Sequence, residues 1–252
     1  MYVLVISLGD PVSRTFLEVV PSMPLVETRG GLEIRKLGDV PVVVHRGDST
    51  EFSNEDVLSL LGRHAIFISR HEMANPRPLF TVHTPGSWPD VSVAHPHLVS
   101  SLYRSLCKSA YEPFNCAIEA THHLPNADAV SATFVEVGST EREWRDRKAV
   151  ETLVHVIEEV TGRELKRHPP AMVVGDLHYV TVADMVLRGD VDIGHVVPKY
   201  IEITPKVVQN AFRKHVASVE KVFLFRKNVK NPARTEIARF FRNNGVEVTF
   251  KG

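Results

Sequence analysis

Two cysteines, Cys107 and Cys116, are the only thiols in this 252-residue sequence, and they do not form a C-x-x-C pair. That argues against a disulfide framework or a cysteine zinc knuckle, and fits a reducing cytoplasm. Long apolar runs are missing too; none is long enough to span a bilayer. The opening "MYVLVISLGDPVSR" is too short and lacks the basic flank of a secretory signal, so it reads as a first strand. Net charge is absent, with 30 Lys plus Arg against 30 Asp plus Glu. Bulk charge therefore argues neither for nor against nucleic acid, and only a local patch could. Gln209 is the single glutamine. So few thermolabile amides point weakly to a heat-adapted source. No P-loop, G-x-G-x-x-G or G-x-S-x-G is present, which removes the main supports for nucleotide-phosphate binding and serine hydrolysis. "HEMAN" begins like the zinc motif H-E-x-x-H, but Asn75 stands where the second histidine belongs.

What is there is alternation. Hydrophobic residues make up 43% of the chain, enough for one large domain or two small ones. "YVLVISLG" reads as a buried strand, and "DPVSRTFLEVV" as a helix capped by Asp10 with Pro11 at its first position. "GLEIRKLGDVPVVVHRG" reads as a hairpin turned at Gly38-Asp39. "SNEDVLSLLGR" predicts a short helix capped by Ser53, followed by the strand "AIFISRH". "PHLVSSLYRSLCKSA" places Leu98, Leu102 and Leu106 on one helical face. "TEREWRDRKAVETLVHVIEEVTG" predicts one long helix with a Thr140/Glu143 capping box and Gly162 at its end. "PAMVVGDLHYV" is a strand and its exit, and "TPKVVQNAFRKH" another helix. The end is a strand–helix–strand unit, its helix capped by Asn231 and begun by Pro232. Such alternation predicts a three-layer α/β/α sandwich around a mixed, mainly parallel sheet, with residues 1–252 forming one domain.

The candidate chemistry is histidine at element ends. Seven of the thirteen histidines fall between His64 and His123. In "NCAIEATHHLPNAD", neighbouring side chains of a regular strand would point to opposite faces. His122 and His123 can share a pocket only where the strand has ended, and "LPNAD" supplies that turn. Glu119 precedes the pair and Glu136 lies on the next apolar strand, "ATFVEVG". His83, His95, His178 and His195 also sit near predicted strand exits, which converge on one edge of a parallel sheet. Neutral imidazoles with a carboxylate suit zinc, and imidazole is also the commonest general base near neutral pH. Spacing alone does not separate those roles.

The blocks "SRHEMANPRPLFTVHTPGSW", "EATHHLPNA", "FVEVGSTEREW", "VVGDLHYV" and "RGDVDIGHVVPKY" resemble, in order, those of the archaeal and plant type of D-aminoacyl-tRNA deacylase, over roughly Ser69 to Tyr200. The resemblance implies hydrolysis of the ester joining a D-amino acid to the 3′-terminal adenosine of tRNA. It also implies zinc dependence and a phosphorylase/hydrolase-like sandwich related in shape to peptidyl-tRNA hydrolase. Carried onto this chain, it implies that His122 and His123 bind zinc or deprotonate water, with Glu136 as a further metal ligand or, like Glu119, as the group that orients them. His178 would join them in catalysis, and His83, Asp176, His195 and Lys199 would contact substrate, Lys199 at a tRNA phosphate. Two positions depart from the family pattern: Leu124 and the "GDL" before His178 stand where glycines are usual. Asp176 and Leu177 thereby add side chains where backbone would otherwise approach substrate closely.

The basic run "RKNVKNPAR", Arg226 to Arg234, with Arg239 and Arg242 beyond it, is the densest candidate for tRNA phosphates. A zinc-dependent amidase or peptidase of small substrates would use the same histidines and carboxylates, and a tRNA-binding module without turnover is the third reading. The expected setting is a monomer in the cytoplasm, acting on aminoacyl-tRNA and touching no membrane.

Overall fold

Alternate residues of the first strand go to different cores, and that sets the layering. In β1 (Tyr2–Ser7), Val3 and Val5 join one apolar cluster while Leu4 and Ile6 join another. The computed structural model describes residues 1–252. β1 pairs in parallel with β4 (Val40–His45) on one side and β5 (His64–Glu72) on the other. Antiparallel β2 (Leu25–Arg29) and β3 (Leu32–Leu37) extend the sheet past β4, the two-residue turn at Gly38-Asp39 joining β3 to β4 as expected. Beyond β5 come β8 (Ser131–Ser139), the antiparallel β6 (Leu79–His83) and finally β7 (Asn115–Ile118). This is the mixed, mainly parallel sheet that the alternation predicts.

A second sheet was not separable in the sequence. β9 (Pro170–Asp176), β10 (Asp192–Pro198), β11 (Lys221–Phe225) and β12 (Glu247–Lys251) pair in parallel in the order β10-β9-β11-β12. Helices α1 (Pro11–Val19), α3 (Pro96–Ser109) and α5 (Arg147–Thr161) cover one face of the first sheet. α2 (Glu55–Leu61) covers the other. The largest core cluster, 37 residues, continues from the first sheet through these helices to Ala171, Val173, Ile193 and Phe223 of the second. α6 (Ala183–Arg188) adds Ala183 and Val186 to it, while α7 (Pro205–Arg213) and α8 (Ala233–Asn243) cover the far face of the second sheet. None of these helices is long and apolar enough to cross a membrane.

The two sheets are stitched by the segment after β7. The Glu119 amide donates to Val82 of β6, the Ala120 amide to the His178 carbonyl, and the Thr121 amide to Val196 of β10. One short extended stretch thus bonds both sheets in three consecutive residues.

Four sequence expectations change. The two cysteines are bonded to each other, with Cα atoms 5.3 Å apart, and tie α3 to β7. The long predicted helix is two: α4 (Glu141–Trp144) keeps the Thr140/Glu143 capping box, but Asp146 accepts from the amides of Lys148 and Ala149 and starts α5 afresh. An aspartate that can reach those amides competes with continuation of the helix. α2 takes Asn54 rather than Ser53 as its capping residue. α8 takes Pro232, while Asn231 receives the Thr235 hydroxyl instead.

Candidate active site

Most of the candidate side chains are delivered near strand exits, while Glu136 comes from within β8. β5 and β8 run parallel with His71 opposite Gly138. A Cβ on Gly138 would lie 2.6 Å from the His71 carbonyl and 2.7 Å from the His71 Cβ, so only glycine leaves room for that ring. β6 ends at His83, and β7 ends at Ile118 just before Glu119. His123 has a φ of 42°, the single positive φ outside glycine. That kink, past the strand end and the extended stretch Glu119 to Thr121, turns both rings to one side, their centroids 4.4 Å apart. The Gly86 amide donates to the carbonyls of both His122 and His123 and holds the kink.

Glu119 is the hub. It is fully buried; its Oε1 lies 3.1 Å from His178 Nε2 and 3.2 Å from His71 Nδ1, and its Oε2 faces His83 Nδ1 at 3.4 Å. Burial would raise its pKa, but His178 and His71, with the His83 ring close by, prevail and hold the carboxyl well below its usual range. Glu136, also buried, receives the Thr81 hydroxyl at 2.9 Å and lies 3.5 Å from His71 Nδ1 and 3.8 Å from His123 Nε2. Burial opposes its ionisation as well, yet His83, His123 and His71 bring its pKa to about 2. Between the two carboxylates, His71 goes the other way. Burial favours its neutral form, but Glu119 and Glu136 raise it to about 10, so it is an imidazolium. Its Nε2–H then donates to the Tyr179 hydroxyl at 2.9 Å, and that hydroxyl donates to Met73 Sδ.

The remaining three rings expose a proton shortage. His122 Nδ1 is 2.8 Å from the Ala120 carbonyl and His123 Nδ1 is 2.7 Å from the Leu124 carbonyl, so both nitrogens carry hydrogen. Burial, then repulsion from His83, drops His122 to about 3, leaving its Nε2 a bare lone pair. His83 Nε2 sits 3.1 Å from His123 Nε2. If His83 carries its proton on Nε2, its Nδ1 lone pair faces a carboxylate oxygen. If it carries the proton on Nδ1, two Nε2 lone pairs collide. His83 Nδ1 and Glu119 Oε2 are in fact both buried without a hydrogen-bond partner. Neutral rings alone cannot satisfy this geometry; one added positive charge between His83 and His123 can. That charge is either a metal ion or a proton on His123, whose pKa burial lowers but the Glu136 carboxylate raises above the ordinary value. One ring nitrogen from each of His83, His122 and His123 lies within 4.8 Å of the others, a spacing open to a metal ion. Glu119, His122 and His178 form a second such group, and His71, Glu119 and Glu136 a third.

A D-aminoacyl-tRNA deacylase family profile matches residues 62–249 of this chain. The D-aminoacyl-tRNA deacylase of Pyrobaculum aerophilum is 65% identical to it over 252 residues, the whole of both chains. The chain belongs to the D-aminoacyl-tRNA deacylase family. A more distant member, from Caldivirga maquilingensis, is 32% identical over 222 residues, 82% of this chain and 81% of that one. The crystal structure of a conserved protein of unknown function has the same fold, with a TM-score of 0.89 over 99% of this chain and 95% of that one at 21% identity.

In this family member the sequence-chosen residues divide. His83, His122, His123, Glu119, Glu136 and His178 meet, but His122 and His123 converge with His83 rather than with Glu136. His195 does not reach the cluster. It lies inside β10, fully buried, with Nδ1 3.0 Å from the Thr121 hydroxyl and Nε2 3.1 Å from the Lys214 carbonyl. It props the loop from behind and meets no substrate in this arrangement. Lys199 is exposed and in no ion pair. Asp176 is buried and turned inward: Oδ1 accepts from the Leu177 amide and the Thr181 hydroxyl, and Oδ2 from the Thr181 amide. It closes the loop that presents His178 instead of meeting a substrate. Of the three residues expected to stand in place of glycines, Leu124 and Leu177 are exposed beside the site, unlike the buried Asp176. Asp176→Ala is expected to lower stability by about 1–2 kcal/mol, a drop of a few degrees in melting temperature. Calorimetry of parent and variant checks it; an unchanged melting point would mean that the loop closes without the carboxylate.

Sequence reasoning missed three partners. His71 was present in a recognised block but had no role, Tyr179 steadies it, and the Tyr200 hydroxyl lies 3.0 Å from His178 Nδ1. It also missed Arg70, which lines the site's outer wall, paired with Asp48 at 2.7 Å and Asp10 at 3.3 Å. A rival nucleophile is closed off. The Ser7 hydroxyl is 2.6 Å from His45 Nε2, but Ser7 is fully buried.

Proposed function

We infer that this protein hydrolyses the ester linking a D-amino acid to the 3′-terminal adenosine of tRNA, with zinc held by His83, His122 and His123. The carrying observation is the convergence of one ring nitrogen each from His83, His122 and His123, all within 4.8 Å of one another, in a chain of the deacylase family. The donor set fits zinc: three imidazoles with nitrogens turned inward, two of them fixed through Nδ1 by backbone carbonyls. His83 Nδ1–H would then donate to Glu119 Oε2, the pairing of imidazole and carboxylate that orients metal-binding histidines. When bound, zinc supplies Lewis acidity that polarises an ester carbonyl and acidifies water.

The chain supplies the rest. His178, with a third of its side chain exposed, stands at the mouth with Nε2 on Glu119 and Nδ1 toward Tyr200. Glu119 fixes its tautomer, so Nδ1 is the nitrogen that takes a proton from attacking water and returns it to the departing ribose oxygen. His71 neutralises the paired carboxylates and keeps Glu119 in place. An aminoacyl ester is already activated, so positioning and charge suffice. The basic run supports tRNA as substrate: Asn228, within it, donates to the Gly175 carbonyl, bringing Arg226 to Arg234 to the same sheet edge as His178. This reading assigns the work to a monomer in the cytoplasm, where aminoacyl-tRNA is found.

Incubation with D-tyrosyl-tRNA and L-tyrosyl-tRNA, with and without a chelator, tests the inference. Selective loss of the D-ester, abolished by chelation and restored by zinc, is expected. Selective loss in protein shown by elemental analysis to be metal-free would keep the activity and reject zinc. Equal attack on both esters would reject the stereochemical reading, and cleavage of acylated peptides but not of either ester would favour the amidase.

A further inference from the structure

The opposite edge of the first sheet holds a second histidine cluster that the proposed chemistry does not use. A cavity of about 570 Å³ opens at the start of β5 and β8, lined by Arg63, His64, His95, His97, Asp128 and Arg167 among others. It is separate from the catalytic cluster: β5 runs from His64 at this edge to His71 at the other, a distance of about 23 Å at ~3.3 Å per residue.

Each of the three rings spends Nδ1 on the protein. His64 Nδ1 is 2.8 Å from the Ser131 hydroxyl. His95 Nδ1 accepts the Leu98 amide at 3.2 Å, capping α3. His97 Nδ1–H donates to Asp192 at 2.6 Å, and Arg104 and the His168 amide hold that carboxylate from other sides. In all three the Nε2 is left without a hydrogen-bond partner, yet is not sealed from solvent. His95 and His97 are only 8% exposed, so these are buried rings presenting one free nitrogen each. The His95 tautomer is forced, because an Nδ1 that accepts a backbone N–H leaves the single proton on Nε2. It points a donor into the cavity.

The charges around these donors have one sign to spare. Arg63 and Arg167 have no carboxylate partner, whereas the one acid of the rim, Asp128, is taken by Lys214 at 2.7 Å. Burial, then repulsion from His64, His97 and Arg167, drops His95 to about 3, so it enters as a neutral donor and the arginines bring the charge. Two arginines argue against a cation. The three rings are also absent from the groups close enough to hold a metal.

We propose that this cavity is a binding site for a phosphate-class anion, held by His95 Nε2–H and the Arg63 and Arg167 guanidiniums, with the His64 and His97 rings in its wall. A phosphate oxyanion suits it, since it accepts hydrogen bonds on several oxygens at once and takes arginine bidentately. The same chemistry has two sources: free phosphate or a phosphomonoester, and a backbone phosphate of tRNA. The tRNA source rests on the function proposed above; the anion site does not.

Titration with inorganic phosphate, followed through the imidazole carbon-bound protons by NMR, decides the site. Saturable shifts of His64, His95 and His97 are expected, with the exposed His155 of α5 unmoved. The shifts should vanish in Arg63→Ala/Arg167→Ala, which removes only exposed side chains and so tests the site without disturbing packing. Absence of those shifts, equal movement of His155, or shifts that persist in the double variant would overturn the proposal. Deacylation kinetics of the same variant then separate the sources. A KM for aminoacyl-tRNA raised about tenfold at unchanged kcat assigns the cavity to tRNA. An unchanged KM with phosphate binding lost assigns it to a free phosphate.

Discussion

Glu119→Gln is expected to lower the deacylation rate constant by about 10²- to 10³-fold with little change in secondary structure. The substitution keeps size and shape but removes the charge that three histidines share. Glu119 Oε1 serves His178 and His71, and Oε2 faces His83. An amide offers one acceptor and one NH₂ group, so in either orientation its hydrogens meet an N–H of the histidines on that side. Turned toward His83, the NH₂ deprives that ring of the acceptor that fixes its tautomer. Turned toward His178 and His71, it releases the ring at the mouth of the site. Zinc content should fall along with the rate, because the carboxylate orients a proposed ligand. Single-turnover deacylation and elemental analysis measure both. A variant within threefold of the parent in rate would remove Glu119 from the centre of the mechanism.

His71→Leu is expected to cost about 3–5 kcal/mol of stability, because it leaves two buried carboxylates without the cation between them. In a chain of this length that is a fall of about 10 °C or more in melting temperature. The pH dependence has a definite sign. The folded-state pKa of His71, about 10, lies above its unfolded value near the ordinary 6.5. Its contribution is therefore complete below about pH 6.5 and is lost as pH rises through about 10. The gap between parent and variant should be widest in mild acid and narrow toward alkaline pH. Denaturant unfolding across that range measures it, and a gap that widens with pH would mean that His71 is neutral in the fold. Adding Glu119→Gln to His71→Leu should recover part of the loss, since the second change removes one of the stranded charges.

The paired histidines were legible because turn chemistry is local. "LPNAD" announces that the strand has ended, and only past a strand end can adjacent rings share a pocket. His83 and His178 were legible on the same ground, as residues near strand exits. His71 was not, because its importance comes from register. It matters that β5 lies parallel to β8 with His71 opposite a glycine, and no local pattern encodes that pairing. "HEMAN" was read against a helical zinc motif, whereas the segment holding His71 is a strand. His195 failed for the converse reason. The strand continues three residues past it, so a histidine expected at an exit lies in the middle of β10. Asp176 carried a signal that was passed over, since an aspartate followed by an amide and a nearby threonine forms a self-closed turn as readily as a substrate contact. The α/β class followed from alternation, but period-two apolar runs do not say which strands share a sheet, and the division into eight strands and four was invisible.

The three residues that stitch the sheets together, Glu119 to Thr121, also carry the hub carboxylate and lead into the paired histidines. Any opening that separates the sheets must break the Ala120 and Thr121 amide hydrogen bonds, and it cannot do so without disturbing the histidine–carboxylate cluster. Amide hydrogen exchange at Ala120 and Thr121 should therefore proceed only through the same opening that exposes β10, at one shared rate. No partly opened form with the sheets parted can retain turnover, so heat inactivation and the parting of the sheets should be a single kinetic event.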